Sequence, residues 1–319
     1  MTEKKTIIKQ ILIPLGILLA LCVAFTLVIY FTLFKPNFMR GNGIPTAMDA
    51  KHFLTKENEE KNKADTEWFY AQNPTEITIK SFDGLKLLAY NLPAENAKGT
   101  WLMMHGHQSG PLREFAGLAK YFHEIGYNVV LPYQRAHGKS EGTYITFGIK
   151  ERYDVRDWLL KINEIYGDQN PVYLEGISMG CATVLMSLGF DLPDNVTAVV
   201  ADCGYTSPYD IMWKVARKDK NVPMVRLVLG IGNIMAHVLA DFDFYEFDTL
   251  QGLRYNKIPV LFIHGTEDKF VPIEMTFANF QYCTSEKSLF LVPDAPHAIS
   301  YFIDENGYHK AVVDFCNLK

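Results

Sequence analysis

A serine between two glycines is the pattern in this sequence that most directly suggests chemistry. Gly176-Ile-Ser178-Met-Gly180 fits G-x-S-x-G, and it follows a short apolar run, Val172–Glu175. A run with helical spacing comes next, so the motif predicts a sharp strand-to-helix turn where bulkier neighbours would clash. Ser178 would then point its hydroxyl out over the edge of a sheet as a nucleophile. The alternative is a tight glycine turn in which Ser178 only caps the helix.

A serine hydroxyl is a poor nucleophile without a base. Among nine histidines, His297 is distinguished by its place in a loop directly after the last predicted strand, Ser288–Val292. The base needs a carboxylate to orient it, and Asp268 follows the predicted strand Val260–Ile263. Two other carboxylates compete with Asp268 for that role, because they also lie near strand ends or near His297. They are Asp202 and Asp294.

Backbone amides near the serine could stabilise an oxyanion. The residue after the nucleophile, Met179, supplies one amide. The loop after the strand Thr100–Met104 reads His105-Gly106-His107, and we expect the His107 amide to supply the second. The imidazoles of His105 and His107 need no catalytic role.

Alternating strand and helix patterns surround these motifs. Asp83-Gly84 predicts a hairpin turn, and the later apolar strands alternate with helices, which is typical of a parallel sheet covered on both faces. The predicted fold class is therefore α/β, with antiparallel strands at one edge. The predicted strands are Glu76–Ser81, Leu85–Asn91, Thr100–Met104, Tyr127–Leu131, Val172–Glu175, Val196–Ala201, Val260–Ile263 and Ser288–Val292, and the predicted helices are Leu112–Ile125, Lys150–Tyr166, Met179–Leu188 and Tyr301–Phe315.

An insertion at about residues 205–253 interrupts the alternation of strands and helices. A simple crossover connection between two parallel strands would need fewer residues. The segment Val222–Ala240 of the insertion is apolar apart from Arg226, Asn233 and His237. We expect the insertion to form a helical cap that lines an acyl or aromatic pocket. A second membrane span is the alternative, but those polar residues and the return to the same sheet weigh against it.

The N-terminal region contains 24 consecutive uncharged residues at 11–34. As a helix this run would be about 36 Å long, enough to cross a ~30 Å hydrocarbon core, so we expect a transmembrane anchor. A cleaved signal peptide is the alternative, but the run is long and lacks small residues at its end. Lys4, Lys5 and Lys9 predict a cytoplasmic N-terminus at 1–10 and a catalytic domain outside the cell membrane. Residues 35–74 would form a stalk and a linker helix, and 75–319 the catalytic domain.

Composition excludes several classes of protein. The chain has 319 residues, 48% of them hydrophobic, so wholesale disorder is excluded. Its net charge of −5 lacks the basic surplus of a nucleic-acid-binding protein. Five cysteines show no zinc-ligand spacing and are expected to be single buried thiols. No cofactor or metal is expected, because no dinucleotide, P-loop or H-E-x-x-H motif is complete.

From about Thr75 to its C-terminus the chain resembles the α/β-hydrolase superfamily. The H-G-x loop, the serine turn, Gly265-Thr-Glu-Asp268 and the His297 loop carry the resemblance, and the order Ser, Asp, His is that of these enzymes. The chain looks most like bacterial membrane-anchored serine hydrolases related to the serine aminopeptidase and prolyl-oligopeptidase groups. Those groups often have Asp and Gly where this chain has Tyr133 and Ala136, which affects the geometry of that loop.

The resemblance implies a membrane-anchored serine hydrolase that cleaves carboxylic esters through an acyl-enzyme. Ser178, Asp268 and His297 would form the triad, and Met179 and His107 the oxyanion hole. The substrate would be a small ester or short acyl compound, with no nucleic-acid partner. Aminopeptidase-like or thioester hydrolysis and a non-catalytic binding module are the alternatives. The natural substrate and the oligomeric state do not follow from the sequence.

Overall fold

An eight-stranded sheet forms the centre of the structure, a computed structural model that describes residues 2–35, 55–219, 222 and 224–318. The strand order is β1-β2-β4-β3-β5-β6-β7-β8. Strands β3 to β8 are parallel, whereas β1 and β2 pair antiparallel at one edge. The strands are β1 Thr75–Lys80, β2 Lys86–Leu92, β3 Thr100–Met104, β4 Asn128–Pro132, β5 Val172–Ile177, β6 Val196–Asp202, β7 Val260–Gly265 and β8 Lys287–Val292.

Helices cover both faces of the sheet, as the alternating pattern predicts. The helices are α1 Thr2–Phe34, α2 Lys56–Ala71, α3 Pro111–Glu124, α4 Glu151–Tyr166, α5 Met179–Ser187, α6 Pro208–Lys214, α7 Val225–Ala240, α8 Thr249–Leu253, α9 Ile273–Tyr282, α10 Ser300–Ile303 and α11 Glu305–Phe315, and a short π-helix, Val215–Asp219, follows α6.

Two apolar clusters hold these layers together. One lies between the sheet and α2, α3 and α11, with Phe69 and Phe122 in it. The other lies between the opposite face and α4 and α5, with Trp158 and Leu185 in it. Strands β3, β4, β5 and β7 are buried along their whole length, because helices cover them on both sides. The predicted α/β architecture is confirmed.

Local signals explain where the elements begin and end. The predicted hairpin turn is present, with Gly84 at φ +91°, a conformation that glycine adopts without a steric penalty. Thr55 caps α2 by accepting a hydrogen bond from the Asn58 amide. The aromatic end of α2 docks on the domain through Phe69, which is fully buried.

The C-terminal segment differs from its prediction. One helix was expected over Tyr301–Phe315, but the structure has two, α10 and α11, which meet at Asp304. Asp304 leaves the helical conformation and its Oδ1 accepts the Gly307 amide at 2.9 Å, so it caps α11. The apolar spacing continues across this break, which is why the sequence pattern alone predicts a single helix. Helix α9, between β7 and β8, was not predicted.

The insertion at 205–253 contains α6, the π-helix, α7 and α8. Helix α7 corresponds to the predicted lid segment, and it buries Val228, Leu229 and Gly232 against the rest of the insertion and α1. Asn233 fixes the segment just after α7, because its side chain donates to Asp243 and accepts a hydrogen bond from the Phe244 amide.

Helix α1 packs on the α/β domain through Tyr30 and Phe34, which are buried. Within the described residues, no helix is long and apolar enough to cross a membrane. The predicted anchor at 11–34 includes residues 11, 15, 18 and 19, whose side chains lie outside the described set, and it stays a prediction. Most of the predicted stalk, residues 36–54, also lies outside the described residues.

Candidate active site

Ser178 lies between β5 and α5 in a strained backbone conformation, with φ 56° and ψ −114°. The two glycines of the motif make this turn sterically possible. A Cβ at Gly176 would lie 2.4 Å from the Gly180 carbonyl oxygen, and a Cβ at Gly180 would lie 1.7 Å from the Met104 carbonyl oxygen. The turn therefore packs backbone against backbone at the end of β3. The side chain of Ser178 is not the simple N-cap of the alternative interpretation, since it makes no capping hydrogen bond.

The structure brings the three predicted triad residues together. His297 Nε2 lies 2.9 Å from Ser178 Oγ, and His297 Nδ1 lies 2.6 Å from Asp268 Oδ2. Each residue follows a different parallel strand, β5, β7 or β8, so the side chains meet at the carboxyl edge of the sheet. The arrangement can pass a proton from the serine hydroxyl to the imidazole.

Asp268 is held as a carboxylate. Its Oδ1 accepts the amides of Phe270 and Val271 at 2.9 and 2.8 Å, and His264 Nε2 donates to its Oδ2 at 3.2 Å. Burial alone would raise the pKa of Asp268, but the His297 charge and the hydrogen bonds from His264 and His297 outweigh it and hold this pKa well below its usual range. The carboxylate is therefore charged and immobile opposite His297.

The charge of Asp268 in turn raises the pKa of His297. Burial lowers its pKa, but the Asp268 carboxylate outweighs burial through its charge and its hydrogen bond. The net result is a pKa raised above the ordinary histidine value of 6.5. A raised pKa makes the imidazole a stronger base toward the serine proton.

The two competing carboxylates lie elsewhere. Asp202 is buried at the end of β6, where its Oδ1 accepts a 3.4 Å hydrogen bond from Ser300, and burial raises its pKa to about 6. Asp294 is exposed in the loop before His297. The geometry therefore favours Asp268 as the residue that orients His297.

The loop predicted to form the oxyanion hole borders the nucleophile. A Cβ at Gly106 would lie 3.4 Å from the Ser178 Cβ, so the loop backbone passes directly beside the serine. Met179 is the first residue of α5, and the first amides of a helix have no intrahelical acceptor. The amides of Met179 and His107 thus come from two elements that meet at Ser178, where an oxyanion would develop.

Glu114 is a residue of this site that the sequence analysis missed. It lies in the first turn of α3, and its Oε2 accepts the Gly106 amide at 2.7 Å. Burial raises the pKa of Glu114, although the hydrogen bond from the Gly106 amide opposes the shift. Its position in a helix beginning just after the loop was the only signal in the sequence. Glu114 fixes the backbone next to His107.

The loop after β4 also supports the predicted oxyanion loop, which is formed by residues 105–108. His105 Nε2 accepts the Gln134 amide at 3.1 Å, and His137 Nε2 accepts the Gln108 amide at 3.0 Å. Burial lowers the pKa of His105 to about 4, so this imidazole is neutral and serves as an acceptor. Ala136, where the resembling families have glycine, takes φ 62°. The loop therefore retains a left-handed residue despite the substitution.

The end of α1 contacts the oxyanion loop directly. His107 Nε2 donates to the Leu33 carbonyl at 2.7 Å, and Gln108 Nε2 donates to the Thr32 carbonyl at 2.8 Å. The Phe34 carbonyl accepts the Ile145 amide at 2.8 Å. These bonds satisfy carbonyl groups that a helix end otherwise leaves without partners. The imidazole of His107 thus joins the end of α1 to the loop after β3.

A cavity of about 490 Å³ lies beside the triad, between α1, α6 and α7. Two of its lining residues contact side chains of the site. Phe147 stacks on His107 with ring centroids 4.9 Å apart, and the ring centroid of Phe270 lies 5.0 Å from that of His297. The cavity is therefore bordered by two aromatic side chains that also contact His107 and His297.

Cys203 lies close to Asp268 and His297, and the potential ligand atoms of these three residues fall within 4.8 Å of one another. Burial raises the pKa of the Cys203 thiol well above its usual value, which keeps the sulfur protonated. Asp268 and His297 are already hydrogen-bonded to each other, so the group belongs to the triad. All five cysteines are free, and four of them are buried, as expected.

Comparison with known proteins agrees with the fold. A family model described as alpha/beta hydrolase fold matches residues 100–223. The chain is 25% identical over 252 residues to the uncharacterized protein YqkD of Bacillus subtilis (strain 168), covering 78% of this chain and 81% of that protein. Among solved structures, the Pyrococcus furiosus esterase Pf2001 superposes with a TM-score of 0.58 at 21% identity, covering 76% of this chain and 92% of the esterase. The esterase EaEST from Exiguobacterium antarcticum gives 0.57 at 15% identity, covering 75% and 98%.

Proposed function

On the α/β-hydrolase fold that this chain has, we propose a serine hydrolase that cleaves carboxylic esters through an acyl-enzyme. The observation that carries the proposal is the continuous hydrogen-bonded series from Asp268 through His297 to Ser178 at the carboxyl edge of the sheet. The names of the solved neighbours as esterases support the same reaction class. The predicted resemblance to the superfamily is confirmed, and the closer relation to membrane-anchored serine hydrolases is part of the proposal.

The reaction begins when His297 Nε2 takes the proton of Ser178 Oγ, which attacks the ester carbonyl. Asp268 stabilises the imidazolium that forms and holds Nδ1 protonated. The amides of Met179 and His107 stabilise the tetrahedral oxyanion. His297 then gives its proton to the leaving alcohol, which departs as the acyl-enzyme forms. Water, deprotonated by the same imidazole, hydrolyses the acyl-enzyme and restores Ser178.

The surroundings favour esters over aminoacyl amides. An aminopeptidase needs a carboxylate that is available to a substrate amine, and four acidic residues near the end of the insertion already have protein partners. Glu246 pairs with Arg152, and Asp241 pairs with Lys150. Asp243 accepts hydrogen bonds from Asn233 and the Tyr245 amide, and Asp248 caps α8. The cavity beside the triad is lined mainly by apolar side chains.

A membrane location is the second part of the proposal. The 24 uncharged residues at 11–34 and the preceding lysines support an anchor whose N-terminus is cytoplasmic, with the catalytic domain on the outer side. Protease added to intact cells should then digest the domain while a tag at the N-terminus stays protected. Protection of the domain would reverse the orientation.

Hydrolysis of p-nitrophenyl acetate and of alanine p-nitroanilide by the full-length chain in detergent tests the reaction. We expect turnover of the ester, lost by several orders of magnitude in Ser178→Ala, and little turnover of the anilide. Equal or faster turnover of the anilide, lost in Glu246→Gln, would support the peptidase alternative. A folded chain that turns over neither substrate would support a non-catalytic binding module.

A further inference from the structure

We propose that the cavity between α1 and α7 binds the acyl chain of a lipid ester that enters from a bilayer, with the last three turns of α1 as one wall of the site. This inference rests on the proposed serine hydrolase and membrane anchor and names the substrate class of that same site. The enzyme would therefore take its substrate from the membrane to which its own N-terminal helix holds it.

The wall formed by α1 is the first part of the argument. Lining residues from this helix run from Phe25 to Phe34, and Phe34 stacks on Phe244 of the insertion with ring centroids 5.7 Å apart. Three carbonyls at the end of α1 bond the catalytic domain, two of them through His107 and Gln108 of the oxyanion loop. The helix end is thus bonded directly to the loop that borders Ser178.

The chemistry of the lining is the second part. The hydroxyl groups of the two threonines in the α1 wall are already hydrogen-bonded within their own helix, Thr26 to the Cys22 carbonyl at 2.7 Å and Thr32 to the Val28 carbonyl at 2.8 Å. The facing wall is formed by aliphatic side chains and Gly232 of α7. An occupant of such a cavity gains mainly from burying methylene groups. The chemistry favours a hydrocarbon chain.

The length of α1 is the third part. The part of α1 that lines the cavity, residues 25–34, is its docked segment. Residues 11–24, which precede it, would span about 21 Å as a helix, short of a ~30 Å hydrocarbon core. If α1 crosses the membrane, part of the docked segment must lie in hydrocarbon as well. The cavity lined by that segment would then lie at the depth of lipid acyl chains.

The outer face of α7 supports the same position. Leu227, Ile231, Ile234 and Val238 recur at helical spacing on the side away from the domain, and Ile234 and Val238 are 65% and 72% exposed. Neighbouring α1 is also apolar on its exposed side, at Leu21 for example. An apolar stripe of this kind, next to the uncharged segment 11–34 of α1, fits a lipid surface.

Two leucine substitutions on α7 test the cavity. Gly232 lines it, and a Cβ there would lie 3.7 Å from Phe244 and 3.9 Å from Thr26, whereas a Cβ at Gly230 would meet nothing within 4 Å. With p-nitrophenyl esters from acetate to dodecanoate, we expect kcat/KM of the full-length chain to rise with chain length. Gly232→Leu should lower the ratio of the dodecanoate value to the acetate value about tenfold or more, while Gly230→Leu should leave this ratio unchanged.

A matched pair of aspartate substitutions tests entry from the bilayer. Ile234 and Leu160 are both exposed and both tenth in a sixteen-residue helix, α7 and α4. On p-nitrophenyl dodecanoate carried in phosphatidylcholine vesicles, Ile234→Asp should lower the rate about tenfold and Leu160→Asp should not. Both variants should hydrolyse acetate in solution like the unmodified chain.

The possible results distinguish a failure of this inference from a failure of the proposed function. Acetate turnover through Ser178 with a flat chain-length profile, or an equal effect of the two leucine variants, would overturn the acyl-chain site alone. A vesicle rate unchanged by Ile234→Asp, or lowered together with the acetate rate, would overturn entry from the bilayer. Absence of acetate turnover would overturn the proposed function and this inference with it.

Discussion

The two sides of the active site are built differently. The sheet side holds Ser178, Asp268 and His297 by hydrogen bonds of 2.6–2.9 Å, on turns so tight that backbone packs against backbone. The helical side, formed by α1 and α7, packs mainly through apolar side chains. Its hydrogen bonds to the sheet side are concentrated at the last turn of α1.

We therefore expect the sheet side to carry out the reaction and the helical side to select the substrate. Proton transfer and oxyanion stabilisation depend on atoms held within fractions of an ångström, which directional hydrogen bonds and close backbone contacts provide. Binding of a hydrocarbon chain depends on buried area and tolerates variation in shape. Substitutions on the sheet side should therefore affect every substrate, and those on the helical side should affect long chains selectively.

The largest expected effect is on the sheet side, at the serine turn. Gly180→Ala would place a methyl group 1.7 Å from the Met104 carbonyl oxygen, so we expect little or no folded protein. Gly230→Ala on exposed α7 is the matched control and should keep or raise stability by up to about 1 kcal/mol. Thermal unfolding monitored by circular dichroism measures both. Normal folding of Gly180→Ala would show that the turn is less constrained than its geometry indicates.

The next largest effect concerns the carboxylate that orients His297. Asp268→Asn should lower kcat for p-nitrophenyl acetate by about 10³–10⁴-fold, because the imidazole loses its partner and its preferred tautomer. Asp202→Asn, which leaves that contact in place, should cost far less. The reverse ranking, in variants that unfold at the same temperature, would assign the role to Asp202.

The pH dependence tests the same pair. His297 must be neutral to accept the serine proton, so kcat/KM should fall as the pH drops through the pKa of His297. Asp268 raises that pKa above 6.5, and the midpoint of the acid limb should lie above this value. In Asp268→Asn the opposing effect of burial remains, so the midpoint should move to lower pH. A midpoint that stays fixed or rises would contradict the assigned cause.

A smaller effect is expected from Glu114, which positions the oxyanion loop. Glu114→Ala removes the acceptor of the Gly106 amide and should lower kcat about tenfold, less than the loss of an oxyanion donor itself. Glu114→Gln keeps an acceptor oxygen and should restore most of the rate. The effect should fall on kcat rather than KM, and be the same for acetate and dodecanoate. A change confined to KM would place Glu114 in substrate binding instead.

The smallest effect lies away from both sides of the site. Asp304→Ala removes the cap of α11 and should lower the free energy of unfolding by about 1 kcal/mol. Kinetic constants for the acetate ester should not change. Urea unfolding with and without the substitution gives the first quantity. A change in turnover would show that the break between α10 and α11 influences the His297 loop.

Much of the sheet side was predictable because its signals are local. Each strand is a short apolar run, and β3 was predicted with its observed bounds. The glycines around Ser178 and the loops after β7 and β8 identified three residues that the structure brings into hydrogen-bond contact. The prediction of a single helix over Tyr301–Phe315 was wrong, because Asp304 ends α10 and caps α11. The spacing of apolar residues does not reveal such a cap.

The helical side was predictable only in part. The apolar content of Val222–Ala240 indicated a lid helix, but its packing against α1 depends on contacts between segments about two hundred residues apart. Residues 25–34 were interpreted only as part of a membrane anchor, since a uniform apolar run carries no signal for one wall of a pocket. Glu114 and His264 were missed as supporting residues for the same reason, because their partners are set by tertiary structure.

Covalent labelling of the full-length chain with a fluorophosphonate, followed by peptide mass spectrometry, tests the central claim most directly. A serine activated by His297 reacts with this probe, whereas an ordinary surface serine does not. The account predicts one adduct, on Ser178, with no labelling in Ser178→Ala and much slower labelling in His297→Ala. Labelling of Ser178→Ala at the unmodified rate, or no labelling of the folded unmodified chain, would contradict it.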